Sequence, residues 1–263
     1  MSRTRGTWNT KGTWVAGGLL VAVLALTGYV ALSGDESEPQ AGKGGASPSS
    51  SSSASAAPTY AAPEDWTEPE RWVALPAGSR TDEHGSEVGF PHTTEGAVAM
   101  MAAANSTSIE ADRSAVDEQL RIYHSYMVKA DKSDDNAEQI ELTAIDTDKW
   151  LHEQMGVKAD GPLPSGAYMR STVIGYKIVK ESENEVSAWL LASSATKAGE
   201  TKKESIEYLR IFNAVVWEDG DWKLSGAATQ RVLQDAQKDK PKIVAPGDAA
   251  FNEAGWTAIR EAS

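Results

Sequence analysis

The sequence has 263 residues, no cysteine, and 25 Lys and Arg against 38 Asp and Glu. All acidic residues follow Leu32 and three basic residues precede it, so the chain beyond Leu32 has 22 basic and 38 acidic groups, a net charge of −16. Such a surface repels nucleic acid and anionic lipid headgroups, and a chain without thiols has neither disulfides nor thiolate metal sites.

The N-terminal region contains nineteen consecutive uncharged residues, from Trp14 to Leu32. A helix of that length is about 30 Å long and matches the hydrocarbon core of a bilayer. Trp14 and Tyr29 lie near its ends, where aromatic rings favour the membrane interface. The basic residues Arg3, Arg5 and Lys11 precede it, which predicts a cytoplasmic N-terminus and an extracytoplasmic remainder. A cleaved signal peptide is the alternative, but the apolar run is long and no good cleavage site follows it.

The next segment, residues 33–63, is rich in Ser, Ala, Gly and Pro. It predicts a disordered linker with a reach of about 30 Å. Trp66 and Trp72 then lie among prolines in residues 64–88, which we interpret as an extended arm across the domain. The predicted division is a cytoplasmic tail (1–13), a transmembrane helix (14–32), this linker, this arm, an α+β domain (89–232) and a C-terminal extension (233–263).

Three helices are predicted before residue 160. The first spans Glu95 to Ala104 after a Thr93 or Thr94 cap, and the second spans Ser114 to Lys129. In the second, an apolar stripe predicts a core face: Val116, Leu120, Tyr123 and Met127. A third, shorter helix is predicted from Thr147 to Met155, stopped by Gly156.

The hydrophobic period then changes to two. Strands are predicted over 173–179, 186–192 and 205–217, with a turn at Glu183-Asn184. Asp219-Gly220 predicts a type I′ hairpin into Trp222-Lys223-Leu224. The result is an α+β domain, with helices covering one face of a curved antiparallel sheet, and a final helix between Gly247 and Glu261.

The stretch from Tyr208 to Leu224, ending Val-Val-Trp-Glu-Asp-Gly-Asp-Trp-Lys-Leu, resembles the last hairpin of nuclear-transport-factor-2-like (cystatin-like) cone domains. The likeness is specific over about twenty residues and looser over residues 89–230. With one membrane span, the arrangement is similar to the bitopic scaffold subunits of type IV secretion and conjugation systems and to uncharacterised actinobacterial membrane proteins. The resemblance implies assembly with other subunits or self-association.

Catalytic chemistry has little support in the sequence. No G-x-S-x-G elbow, P-loop or G-x-G-x-x-G fingerprint occurs, and no motif fixes a metal geometry around His84 and His92. The ionisable candidates for a cone pocket are scattered: Glu95, Asp112, Asp117, Tyr123, His124 and His152, with His92. We therefore expect no catalytic residue, no cofactor and no metal.

Seven tryptophans follow the apolar segment. Trp189, Trp217 and Trp222 fall on predicted strands and are assigned to the core, whereas Trp66, Trp72 and Trp256 are candidate partner contacts. The leading hypothesis is a membrane-anchored extracytoplasmic scaffold or interaction subunit, with the bilayer and other membrane-complex subunits as partners. The alternative is an extracytoplasmic protein that binds a small ligand or cell-wall glycan, and the third is an enzyme of the cone fold.

Overall fold

The computed structural model describes residues 65–158 and 161–260, so the predicted tail, membrane helix and linker, including Arg3, Arg5, Lys11, Trp14 and Tyr29, lie outside it. The strands are β1 (Trp72–Ala74), β2 (Arg80–Thr81), β3 (Glu87–Val88), β4 (Thr107–Ile109), β5 (Ala167–Ser182), β6 (Glu185–Ala198), β7 (Ser205–Glu218), β8 (Asp221–Leu224) and β9 (Thr257–Arg260). The helices are α1 (Thr94–Asn105), α2 (Ala115–Tyr126), α3 (Asp134–Gln154), α4 (Gly226–Ala236) and α5 (Ala249–Glu253), with short 3-10 turns at Lys129–Asp131 and Gln237–Asp239.

Apart from β2 and β3, which pair only with each other, these strands form a curved, mostly antiparallel sheet in the order β1-β9-β5-β6-β7-β8, and β4 pairs with the start of β5. Only the β1–β9 pair of this sheet is parallel in the part of the chain that the structure describes. The long strand β5 shifts register against β6 between Val173 and Gly175 and again between Ile178 and Lys180. Such irregularities bend a strand and increase its twist, which accounts for the curvature.

The predicted meander and its turns are confirmed. Asp219 and Gly220 both have positive φ, 53° and 81°. A type I′ turn requires positive φ at both central residues. Glu183-Asn184 connects β5 to β6, although both strands extend further than the sequence predicted. The hairpin pairing places Trp217 opposite Trp222.

Helices lie on both faces of the sheet, so the prediction of one covered face is wrong. Alternate residues of β6 point to opposite sides: Leu190 packs in the core that contains α1 and α2, whereas Leu191 packs in the core that contains α4. Helix α4, which the sequence did not predict, contributes Ala228, Val232 and Ala236 to this second core. A strand that is buried on both sides has a nearly continuous apolar sequence and no clear alternation. The sequence pattern therefore did not show that the second face of the sheet is also covered.

The three helices predicted before residue 160 are present, but some of their ends differ from the prediction. Thr93 caps α1, accepting a hydrogen bond from Gly96 N, as predicted. Helix α2 ends at Tyr126 rather than Lys129. Helix α3 begins at Asp134, not Thr147, and Gly156 follows its end with φ of 70°.

The C-terminal segment contains α5 and then β9, not one helix from Gly247 to Glu261. Strand β9 inserts between β1 and β5, and Trp256 just before it is buried. Gly175 of β5 allows this pairing, since a Cβ there would lie 3.2 Å from Thr257 O and 3.4 Å from the Phe251 ring. In the part of the chain that the structure covers, no helix has the length and apolarity needed to cross a membrane.

Candidate functional site

A cleft of about 400 Å³ opens between the β2–β3 hairpin, β4, helix α2 and the start of β5. Its lining combines small polar residues with three arginines and one buried glutamate. The lining residues are 85–87, Ala103, 106–108, Arg113, Glu118, Arg121, Tyr126 and 170–172.

The start of α2 fixes one wall of the cleft. Ser114 and Asp117 form a reciprocal capping box, which is a strong helix start. The Asp148 carboxylate of α3 accepts from Ala115 N at 2.8 Å and so ties this end of α2 to its neighbour. The backbone of Glu110 and Arg113 forms a two-way bridge just before the helix. Arg113 is thereby held at the mouth of the cleft.

Glu118 lies at the base of the cleft, with its side chain only 1 % exposed. Its Oε1 accepts from Arg113 Nη1 at 3.1 Å, and its Oε2 accepts from Arg121 Nη2 at 2.9 Å. A carboxylate buried this deeply is costly unless it is paired, and two guanidinium groups supply the pairing.

Arg121 also joins the surrounding elements. Its Nη1 donates to Ser86 Oγ at 3.0 Å on the hairpin, and its Nη2 donates to Ser106 O at 3.1 Å before β4. Tyr126 adds a second link, because its hydroxyl donates to Glu87 O at 2.9 Å. Burial raises the pKa of the Tyr126 phenol, which keeps this group a neutral donor.

The opposite wall comes from the β4–β5 pair. Arg170 donates through Nε and Nη2 to Glu110 Oε1, and hydrogen bonds from Ser108 and then Arg170 lower the pKa of Glu110. Thr107, between these residues on β4, is 8 % exposed, and its Oγ1 has no hydrogen-bond partner within residues 65–158 and 161–260. A buried hydroxyl without a partner is unusual in a folded protein, but this one is covered by surrounding atoms and is one of six such side-chain atoms among the described residues.

The cleft presents donors rather than a catalytic pair. Both Glu118 oxygens are already acceptors for arginines, and among the described lining residues there is no histidine to act with a nucleophile. Elsewhere in the described ranges, no cluster of three or more His, Asp or Glu side chains could hold a metal ion. The described lining is therefore rich in hydrogen-bond donors.

The model of a family described as a domain of unknown function, DUF8175, matches residues 31–240. The chain belongs to this family. A search of curated proteins gives no match, and no solved structure matches the chain either. The DUF8175 match includes every residue that lines the cleft and ends before α5 and β9.

The histidines of this DUF8175 chain lie outside the cleft. His92 stacks on Trp217 with ring centroids 3.9 Å apart, and His84 stacks on His124 at 4.9 Å. Both ring nitrogens of His152 lie within hydrogen-bond distance of backbone carbonyls, those of Asp148 and Gly161. Each of these imidazoles therefore has a structural contact.

The other predicted ionisable residues are also apart from the cleft. The Tyr123 hydroxyl exchanges hydrogen bonds with the backbone of Ser133, and Asp117 belongs to the capping box. Asp112 and Glu95 are exposed. The structure does not bring these groups together.

The three candidate partner tryptophans have different environments. Trp66 is 57 % exposed, and its indole lies against the backbone of Gly247. Trp72 is half-buried in β1, and both it and Trp66 donate an indole N–H to Glu68. Trp256 is 1 % exposed and donates to Lys242 O, so it has no surface to offer a partner in this fold.

Sequence reasoning missed the cleft residues. Glu118 and Arg121 are three residues apart on a helix and look like a solvated ion pair. The position of Glu118 on its helix could have revealed it, because Glu118 shares a helix face with Ala115 and Ile122, which are both buried. A charged residue on the apolar face of an amphipathic helix indicates a buried polar network.

Proposed function

We propose that this protein is an extracytoplasmic binding module, held at the membrane by residues 14–32, whose cleft takes a small ligand without chemical turnover. The observation that carries the proposal is the cleft itself, in which the buried Glu118 positions Arg113 and Arg121 and most N–H groups of Arg113 have no partner among the described residues. The nineteen uncharged residues and the preceding basic residues support the anchor.

A purely structural ion network would enclose its charged groups. Arg121 fits that description, because its side chain is 14 % exposed and it bonds to three other residues. Arg113 does not, because its side chain is 54 % exposed and only Nη1 has a partner among the described residues. Four of its five N–H groups remain available for a ligand.

We also propose that the domain is a variant of the nuclear-transport-factor-2-like cone. Three helices precede a bent sheet, and the β7–β8 hairpin closes it, in agreement with the resemblance in sequence. Helix α4 and strand β9 cover and extend the sheet beyond that simple arrangement.

The binding function is tested with the full chain in detergent, by comparing its melting temperature with and without each compound of a small-molecule panel. A ligand that binds the folded state raises the melting temperature. We expect a rise that is lost in Arg113→Gln. If no compound raises it, or if Arg113→Gln responds like the wild type, the binding function is wrong. Protease added to intact cells tests the location separately and should degrade the domain.

A scaffold subunit of a conjugation or secretion apparatus is the second candidate function. It is favoured by the exposed apolar side chains of Leu142 and Trp150 on α3, which are 50 % and 45 % exposed. Cross-linking in membranes, followed by purification, distinguishes this function. A scaffold should retain membrane-protein partners that are lost in the Leu142→Ser/Trp150→Ser double variant, whereas a ligand-binding module should not.

A further inference from the structure

We infer that the ligand of the cleft is a small molecule that presents one oxyanion group, a carboxylate or a phosphate, to Arg113 and Arg170; this inference rests on the proposed binding function. Both side chains line the cleft and are about half exposed, at 54 % and 52 %. Arg113 lies just before α2 and Arg170 lies on β5, so a ligand between them would be held from two sides.

The open hydrogen-bonding capacity of the cleft consists mainly of donors. A guanidinium has five N–H groups. Arg113 uses one nitrogen, for Glu118, and Arg170 uses Nε and Nη2, for Glu110, within the described structure. A guanidinium fork matches the two oxygens of a carboxylate or phosphate, and such charge-assisted bonds are the stronger kind.

Four of the six carboxylate oxygens of Glu87, Glu110 and Glu118 already accept hydrogen bonds, which disfavours a cationic ligand. Both oxygens of Glu118 accept from arginines. Glu87 Oε1 accepts from Gly78 N at 2.8 Å, and Glu110 Oε1 accepts from Ser108 and Arg170. A cation would compete with the arginines for these carboxylates, whereas an oxyanion would accept from the unused N–H groups of Arg113 and Arg170.

The charge of the whole chain limits the ligand to a small one. The part beyond Leu32 carries a net charge of −16, so a polyanion such as nucleic acid would be repelled by this part of the chain as a whole. A molecule with a single oxyanion group that fits a volume of about 400 Å³ avoids most of that repulsion. The arginines provide the local attraction that the acidic surface does not.

The test is a titration of the full chain in a phosphate-free maltoside detergent, at constant ionic strength, with inorganic phosphate, acetate, tetramethylammonium and N-acetylglucosamine. The melting temperature is followed by tryptophan fluorescence. We expect a saturable rise with phosphate or acetate, and the better of the two identifies the oxyanion. Tetramethylammonium and the sugar should give no rise.

Variants show which side chains are responsible for the rise in melting temperature. Arg113→Gln and Arg170→Gln should each weaken the apparent affinity at least about tenfold, as expected for loss of a charge-assisted bond. Arg231→Gln is the matched control, because Arg231 is 55 % exposed, pairs with Glu185 and belongs to α4 on the other face of the sheet. It should leave the affinity unchanged.

The possible outcomes distinguish failure of the oxyanion inference from failure of the proposed binding function. If only the sugar or only the cation raises the melting temperature, and Arg113→Gln abolishes that rise, the cleft binds a ligand but the oxyanion assignment is wrong. If phosphate acts equally on Arg113→Gln and Arg231→Gln, the effect is a general one of salt and the inference fails. If no compound acts on the wild type, both the inference and the binding function fail.

Discussion

Replacing Glu118 by Gln should destabilise the folded domain more than its conservative shape suggests. The substitution removes the charge that two arginines share while keeping one side-chain acceptor. Arg113 is 54 % exposed and can be solvated, but Arg121 is 14 % exposed and cannot. The loss therefore falls mainly on the buried Arg121.

The size of the effect follows from this burial. Removing one partner of a buried ion pair costs about 3–5 kcal/mol. Because only one of the two arginines is buried and the amide oxygen still accepts one bond, we expect a loss of about 3 kcal/mol in the free energy of unfolding. For a domain of this size, that loss lowers the melting temperature by about 6–12 °C.

The assay is urea unfolding of the full chain in detergent, followed by circular dichroism and tryptophan fluorescence. Glu110→Gln is the control, because the side chains of Glu110 and Arg170 are 38 % and 52 % exposed. Solvent screens such a surface pair, so its loss should cost much less than the loss of the Glu118 charge. If Glu118→Gln unfolds at the same urea concentration as Glu110→Gln, the interpretation of Glu118 as the buried centre of the network is wrong.

Three other predictions concern the fold. At Gly220, φ is 81° and a Cβ would meet nothing within 4 Å. Gly220→Ala should therefore cost about 1 kcal/mol in urea unfolding, and Asp219→Asn, which tolerates positive φ, should cost less. Trp256 is fully buried beside β9. If β9 is integral to the sheet, Trp256→Ala should lower the free energy of unfolding by about 3–5 kcal/mol. A decrease no larger than that of Trp66→Ala, measured by urea unfolding, would contradict this. Burial and then His84 lower the pKa of His124, with Lys132 adding to the decrease and Glu83 opposing it. The unfolded chain therefore binds the proton on His124 more tightly than the folded protein does. This contribution to stability is complete above the ordinary histidine pKa of about 6.5 and is lost as the pH decreases through the lowered pKa. In His124→Asn, the midpoint of urea unfolding should depend less on pH across this range.

The elements that were predicted correctly are those whose formation depends on residues close in sequence. Asp219-Gly220 specifies a turn by its own backbone preference, and the alternating apolar residues on either side fix the strands. Thr93 and Gly156 likewise mark a helix start and a helix end. Each of these signals acts within a few residues, so no tertiary contact was needed to interpret it.

The missed elements depend on distant contacts. Helix α3 buries Ile140, Ala144, Thr147 and Leu151, and its many charged residues hide that stripe. Strand β9 has only four residues and exists because β1 and β5 pair with it on either side. The cleft is assembled from segments between Gly85 and Thr172, and no local pattern shows that these segments meet.

The central claim is that the arginines of the cleft bind an oxyanion, and the arginine side-chain Nε–H resonances of the 15N-labelled full chain in detergent test it most directly. On titration with phosphate or acetate, the resonances of Arg113 and Arg170 should shift and saturate, while that of Arg231 stays in place. Equal shifts of all three, or no shift at Arg113 and Arg170, would contradict the claim.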